Sequence, residues 1–213
     1  MKKILILFLT ITIISSFGCS KLDITTSEVI KTYEKLGLEN KPLDKSFDLL
    51  FNSWVEISKP VNWYYNFRYS KHIEDLEEIK KLETWNLKIA ALEKRVKYQK
   101  EKKDIIYEPW TTYGRKKGDC EDLSKIVYYV LGDNIWIDGE EFKFDGFKAL
   151  FGDSTHIVTW YKNQYNEIVE FSNFRMSIYS SWEVYVDHRG DKYKYIINLK
   201  KNLRYGGSYR SLK

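Results

Sequence analysis

The chain has 213 residues, a formal charge of +5, 43% hydrophobic and 16% aromatic residues, and 2 cysteines. Those values exclude a disulfide framework and leave too mild a positive charge to argue for a nucleic-acid partner. A chain of this size and hydrophobic content can build an ordinary globular core, and its aromatic content suits a strand-rich half.

The first residues do not read as part of that core. Met1-Lys2-Lys3 is a short basic segment, Ile4 to Ile14 is an apolar run, and Ser15-Ser16-Phe17-Gly18 leads into Cys19. This is the pattern of a secretory signal, too short for a membrane span. Small residues ending in Gly-Cys resemble the bacterial lipobox, although Ser16 stands where an aliphatic residue is usual. The resemblance implies cleavage after residue 18, lipidation of Cys19, and export to a bacterial membrane surface, periplasmic or cell-surface. Plain secretory cleavage is the other reading. With Lys2 and Lys3 removed, the mature charge is +3 (5 − 2).

A tether, residues 19–26, opens the mature chain. Ser27 caps an expected helix through Val29, Ile30, Tyr33 and Leu36, closed by Gly37. A second is expected from about Asp44 to Ser58, with Pro60 beyond its end. The aromatic stretch from Val61 to Tyr69 either lines a groove or packs on neighbouring helices. From His72 to about Lys102, Ile73, Leu76, Ile79, Leu82, Trp85, Ile89, Leu92 and Val96 form one apolar stripe. That predicts a single long helix on a globular core, with His72 exposed at its start.

The next stretch carries the chemistry. Gly118-Asp119-Cys120-Glu121-Asp122 precedes the amphipathic run Leu123, Ile126, Val127, Val130 and Leu131, stopped by Gly132. The pattern predicts a helix with Asp119 at its N-cap and Cys120 on the first turn. A thiol there meets the positive end of the helix dipole, which lowers its pKa and favours the nucleophilic thiolate. The bland reading is a half-buried core cysteine beside acids that suit a helix start. If Cys19 carries lipid, Cys120 is the one thiol left.

Strands follow. Asn134 to Asp138 and Glu141 to Phe144 flank an expected turn at Gly139-Glu140, and Phe147 to Phe151 is a further run. His156 leads a strand through Tyr161, and Glu167 to Asn173 forms the next. Trp182 to Asp187 and Tyr193 to Leu199 read as further antiparallel strands. Helices first and strands second make the fold α+β.

His156 stands 36 positions after Cys120 (156 − 120), and Asn173 a further 17 (173 − 156). A thiol, an imidazole to take its proton and a polar group to fix the imidazole are the requirements of nucleophilic acyl transfer. From Tyr98 to Asn173 the chain resembles the transglutaminase-like superfamily, closest to the bacterial transglutaminase-like cysteine proteinases. The resemblance rests on Trp110-Thr111-Thr112, on Gly118-Asp119-Cys120-Glu121-Asp122, on His156-Ile157-Val158 and on Phe171-Ser172-Asn173.

It implies a papain-like core over residues 104–213 beneath a helical layer over 27–103, the two forming one domain. Cys120 would be the nucleophile and His156 its base. The family's aspartate is replaced, either by Ser172 or, with a one-residue shift, by Asn173; Asn173 is the expected third residue, for its reach. The lead-in lacks the family's proline and glutamate.

Some members bind calcium through acids flanking the cysteine, here Asp119 and Glu121. Helix electrostatics is the favoured account of those acids, and no cofactor is expected. The implied activity is amide-bond chemistry on proteins or peptides, with hydrolysis ahead of cross-linking. A non-catalytic surface lipoprotein using the same fold for binding is the second reading.

Arg189-Gly190-Asp191 spells an adhesion tripeptide, but a polar turn gives it by chance, and His188 reads as a turn residue. Neither His72 nor His188 has metal-ligand spacing. The lysines at 192, 194, 200 and 201, with Arg204 and Arg210, read as a solvated strand face before a contact for anionic lipid.

Overall fold

The computed structural model describes residues 63–101, 105–152, 154–199 and 201, and the backbone of 205–211. The expected signal, Cys19, the tether and the helices read within residues 27–58 lie outside the described residues. No described helix is long and apolar enough to cross a membrane.

Residues 63–69 form helix α1, followed by a 3-10 turn, Ser70–His72. The long stripe does not make one helix. It gives α2 (Ile73–Lys80) and α3 (Trp85–Arg95), separated where Thr84 turns extended at φ −122° and ψ 154°. The break lets Leu76, Ile79, Ile89 and Leu92 all reach one core, which a straight rod would not allow. His72 is half-buried rather than exposed: its Nδ1 lies 2.8 Å from Asp75 Oδ2, and its ring packs against Tyr69 and Tyr113. In the aromatic stretch, Tyr65 and Tyr69 stack on each other and Tyr65 meets Tyr107 edge-on, while Trp63 and Phe67 stay exposed.

A two-residue strand, β1 (Lys97–Tyr98), pairs in parallel with β2 (Lys117–Gly118). Between them lies α4 (Pro109–Arg115), with proline in its first turn, where no amide hydrogen is needed. The cysteine helix α5 (Cys120–Leu131) follows, ended by Gly132 at φ +80° as expected.

The strands after it are β3 (Asn134–Ile137), β4 (Glu140–Gly152), β5 (Thr155–Lys162), β6 (Ile168–Ser172), β7 (Arg175–Tyr179), β8 (Tyr193–Leu199) and β9 (Tyr205–Ser211). They make a seven-stranded antiparallel sheet in the order β7-β6-β5-β4-β8-β9, with β3 also on β4. The α+β expectation therefore holds at the level of class.

Three strand readings change. The first hairpin turns at Asp138-Gly139, both at positive φ, the left-handed pair that a two-residue hairpin requires. The runs read as separate strands are one 13-residue strand, β4. Its register shifts at Gly146; β3 lies alongside the first part and β8 alongside the second. Residues from Trp182 form helix α6 (Trp182–Gly190), not a strand, because Ser181 Oγ caps it by accepting from the Val184 amide.

Both faces of the sheet are covered. Helices α2, α3 and α5 pack Leu76, Leu92, Leu123, Ile126 and Val127 against Tyr161, Val169 and Phe171. On the other face Tyr185 of α6 joins Leu150, Val158, Trp160, Ile168 and Ile196.

Gly146 sits at φ +102°, and a Cβ there would lie 2.7 Å from the Leu199 carbonyl oxygen. Gly146→Ala is expected to destabilise the fold by about 1–3 kcal/mol, through backbone strain and a clash that only backbone movement relieves. Urea unfolding followed by circular dichroism checks it.

Candidate functional site

Two close approaches build the start of α5. A Cβ on Gly118 would lie 2.6 Å from Asp122 Cβ, so only glycine lets β2 pass so near the helix's first turn. Asp122 Oδ1 in turn accepts from the Tyr107 amide at 2.8 Å, tying the preceding loop to the same turn. Asp119 takes the N-cap position in extended backbone, and Cys120 is the first helical residue, as read from the sequence.

That turn docks on the edge of β5. Pairing between β5 and β6 begins only at Thr159 with Phe171, so residues 155–158 have no partner on β6. Helix α5 fills the gap. Ser124 Oγ donates to the Ile157 carbonyl at 3.0 Å, Thr159 Oγ1 donates to the Ser124 carbonyl at 3.0 Å, and the Ile157 backbone lies near enough to the Cys120 sulfur to favour its thiolate.

Alternation along β5 sends Thr159 and Tyr161 toward α5, and Val158 and Trp160 toward α6. His156 keeps the company of the second set. Its Nε2 lies 2.8 Å from Ser172 Oγ, and its ring stacks on Tyr193 with centroids 6.4 Å apart.

Asn173 is not the residue that holds the imidazole. Strand β6 ends at Ser172, and Asn173 and Phe174, at φ +50° and +72°, form the turn into β7. An asparagine at positive φ is a turn former, and the turn swings its side chain out of line with the strand. Its Oδ1 is buried with no hydrogen-bond partner among the described residues. Ser172, the last ladder residue, occupies the position instead.

The thiol also departs from expectation. Cys120 carries a free thiol that donates to Glu121 Oε2 at 3.2 Å. Burial raises its pKa well above the usual thiol range, the charge on Glu121 adds to that, and the Ile157 amide works the other way. The helix dipole, which is felt only within the first turn and favours an anion modestly, loses to desolvation here. Burial, and then the charge of Asp119, also raise the carboxyls of Glu121 and Asp122.

No hydrogen bond joins the thiol to the imidazole: each is bonded to another partner, Glu121 and Ser172 respectively. Among the described residues, no group of three or more His, Cys, Asp or Glu is arranged to hold a metal ion.

Behind His156 lies a charged network that the sequence did not suggest. Glu170, fully buried on β6, accepts from Tyr185 Oη at 2.9 Å and pairs with the Arg189 guanidinium. The arginine of the Arg189-Gly190-Asp191 tripeptide is thus tied to the sheet at the end of α6. His188, in the last turn of α6 rather than in a loop, packs on Tyr179. Burial, followed by the positive charges of Arg189 and Lys192, lowers the His156 pKa from 6.5 to about 4.

No protein-family model, curated protein or solved structure matches this chain.

The depressed histidine has a signed consequence. The folded imidazole holds its proton more weakly than the unfolded one, so acidification favours unfolding. Its contribution is intact above pH 6.5 and is lost as the pH falls toward 4. Between pH 7 and pH 5 the wild type should lose about 2 kcal/mol relative to His156→Gln, read from paired urea titrations.

Proposed function

We propose that the chain is an exported thiol enzyme of transglutaminase-like, papain-like architecture that acts on amide bonds of proteins or peptides, with Cys120 as nucleophile and His156 as base. One observation carries the reading. The Cys120 helix is tied to the Ile157 carbonyl through Ser124, the Ile157 backbone lies near enough to the sulfur to favour its thiolate, and the residue immediately before Ile157 bears an imidazole held by Ser172. Thiol, base and orienting group are thus gathered around the start of β5, the thiol on its α5 side and the imidazole on its α6 side, and they are the residue types acyl transfer requires.

Both partners are neutral at rest, because the thiol pKa is raised and the imidazole pKa is lowered. In the proposed reaction the proton passes to His156 as sulfur attacks. The S–C bond forms, the amide C–N bond breaks, and the proton leaves with the amine. Water then cleaves the thioester, returning the thiol and releasing the acid. An imidazole with a pKa near 4 is a weak base, so turnover is slow. Ser172 orients the ring without the negative charge that would stabilise an imidazolium.

The acids around Cys120 favour a second reading, a binding module that keeps this arrangement without turnover. Acylation separates the two. With p-nitrophenyl acetate, native protein is expected to gain an acetyl group on Cys120 by mass spectrometry. Cys120→Ser should abolish it, and His156→Ala should slow it at least about tenfold, less than the roughly 100- to 10,000-fold of a well-matched general base because this imidazole is a weak one. Ser172→Asp, which restores a carboxylate beside the imidazole, should accelerate it. Modification only after denaturation would leave the binding module as the better account.

Anchorage through Cys19 belongs to the same proposal. Mature protein should partition into a detergent phase, and Cys19→Ala should block both processing and partition, since each buried methylene of a lipid chain contributes roughly 0.8 kcal/mol. Mature protein that begins elsewhere and carries no lipid would refute it.

A further inference from the structure

At the other end of β5 lies a groove of about 670 Å³. One wall is the β3–β4 hairpin and the other is the turn between β5 and β6. Six residues of extended strand, about 20 Å, separate Lys162 on its rim from His156, so the groove is distinct from the thiol site.

The register sets out its lining. Trp136 lies directly opposite Glu141, Lys143 follows two residues on, and Lys143 lies directly opposite Lys162. Residues opposite one another, or two apart, share a face, so these four side chains form one cross-strand row. Trp136 is 64% exposed while its neighbours Ile135 and Ile137 are buried, so its indole serves no core. Two lysines directly opposite each other are unfavourable on their own, and the nearest relief is a distant Glu141 oxygen 3.9 Å from Lys143 Nζ.

The walls are rigid. Asn163 Oδ1 accepts from the Tyr165 and Glu167 amides at 3.0 and 2.9 Å, and its Nδ2 donates to Glu167 at 2.6 Å. This closes the turn that offers Gln164 and Asn166 to the groove. Opposite it stands the tight Asp138-Gly139 turn. A ligand therefore meets a preformed surface and incurs little ordering cost.

We propose that this groove binds a glycan chain. A sugar ring presents an apolar C–H face, which suits a flat exposed indole, and a rim of hydroxyls that both donate and accept. Interleaved ammonium, carboxylate and amide groups meet both needs. Asp145 is paired with Lys148, so Glu140 and Glu141 balance Lys143 and Lys162, and a polyanion meets no net positive charge there. A peptide would ask for apolar side-chain pockets, and the groove offers the exposed Trp136 ring and the half-buried Phe144, already stacked on Tyr128, beside polar groups.

The test is affinity electrophoresis of the mature full chain through native gels containing soluble β-glucan, glycol chitin or dextran. At least one polymer should retard the wild type. Trp136→Ala should weaken that retardation at least tenfold, with its thermal melt unchanged. Lys162→Ala should weaken it several-fold and Cys120→Ser not at all, which keeps this result separate from the fate of the thiol reading. The proposal is overturned if none of the three polymers retards the wild type, or if Trp136→Ala migrates as the wild type does in the gel that retards it.

Discussion

The docking of a helix turn onto an unfinished strand edge is the constraint on which the rest depends. Strand β6 stops early, and the β5 edge beyond it would present polar groups that need partners. Ser124, one helical turn after Cys120, takes the Ile157 carbonyl, and its own carbonyl accepts from Thr159. These bonds set where α5 begins relative to the sheet, and with it where the sulfur lies. Gly118 and Asp122 secure the same turn from the other side. The Gly-Asp-Cys-Glu-Asp stretch is therefore a docking element first, whatever chemistry it carries.

The two faces of the sheet treat charge differently. On the α5 side, acids crowd the thiol, and burial keeps thiol and carboxyls toward their protonated forms. On the α6 side, Glu170 is matched by Arg189 and Tyr185, and burial, followed by the cations nearby, holds His156 neutral. Desolvation acts in the same sense on both faces, favouring the uncharged form of each group. At rest the thiol on one face and the imidazole on the other are both neutral rather than an ion pair.

The cysteine helix was legible to its ends because each end has a local signal: aspartate and cysteine at the start, Gly132 at the stop. The class was legible too, since periodicity changes from helical to alternating after that helix. What failed had different causes, and one of them lies far away in the chain. The stripe from Ile73 to Val96 reads as one helix, and only folding back against α5 requires the break at Thr84. Trp182 to Asp187 carries strand-forming side chains, and the Ser181 cap overrides them. Asn173 was misassigned although asparagine after a strand is itself a turn signal; given that turn, alternation leads to Ser172. The lowered thiol pKa failed for a different reason: helix position is visible in sequence, while burial beside Glu121 is not.

Gly146 gives strand β4 two partners along one edge, β3 before the kink and β8 after it. The kink interrupts register, so displacement or lengthening of the β3 hairpin stops there instead of shifting every pairing down to Gly152. The sheet is in this respect modular: its hairpin end can be remodelled by mutation over generations while the end that seats α5 keeps its alignment. Selection on one end then imposes little on the other, and two unrelated surfaces can diverge at different rates within a single continuous strand.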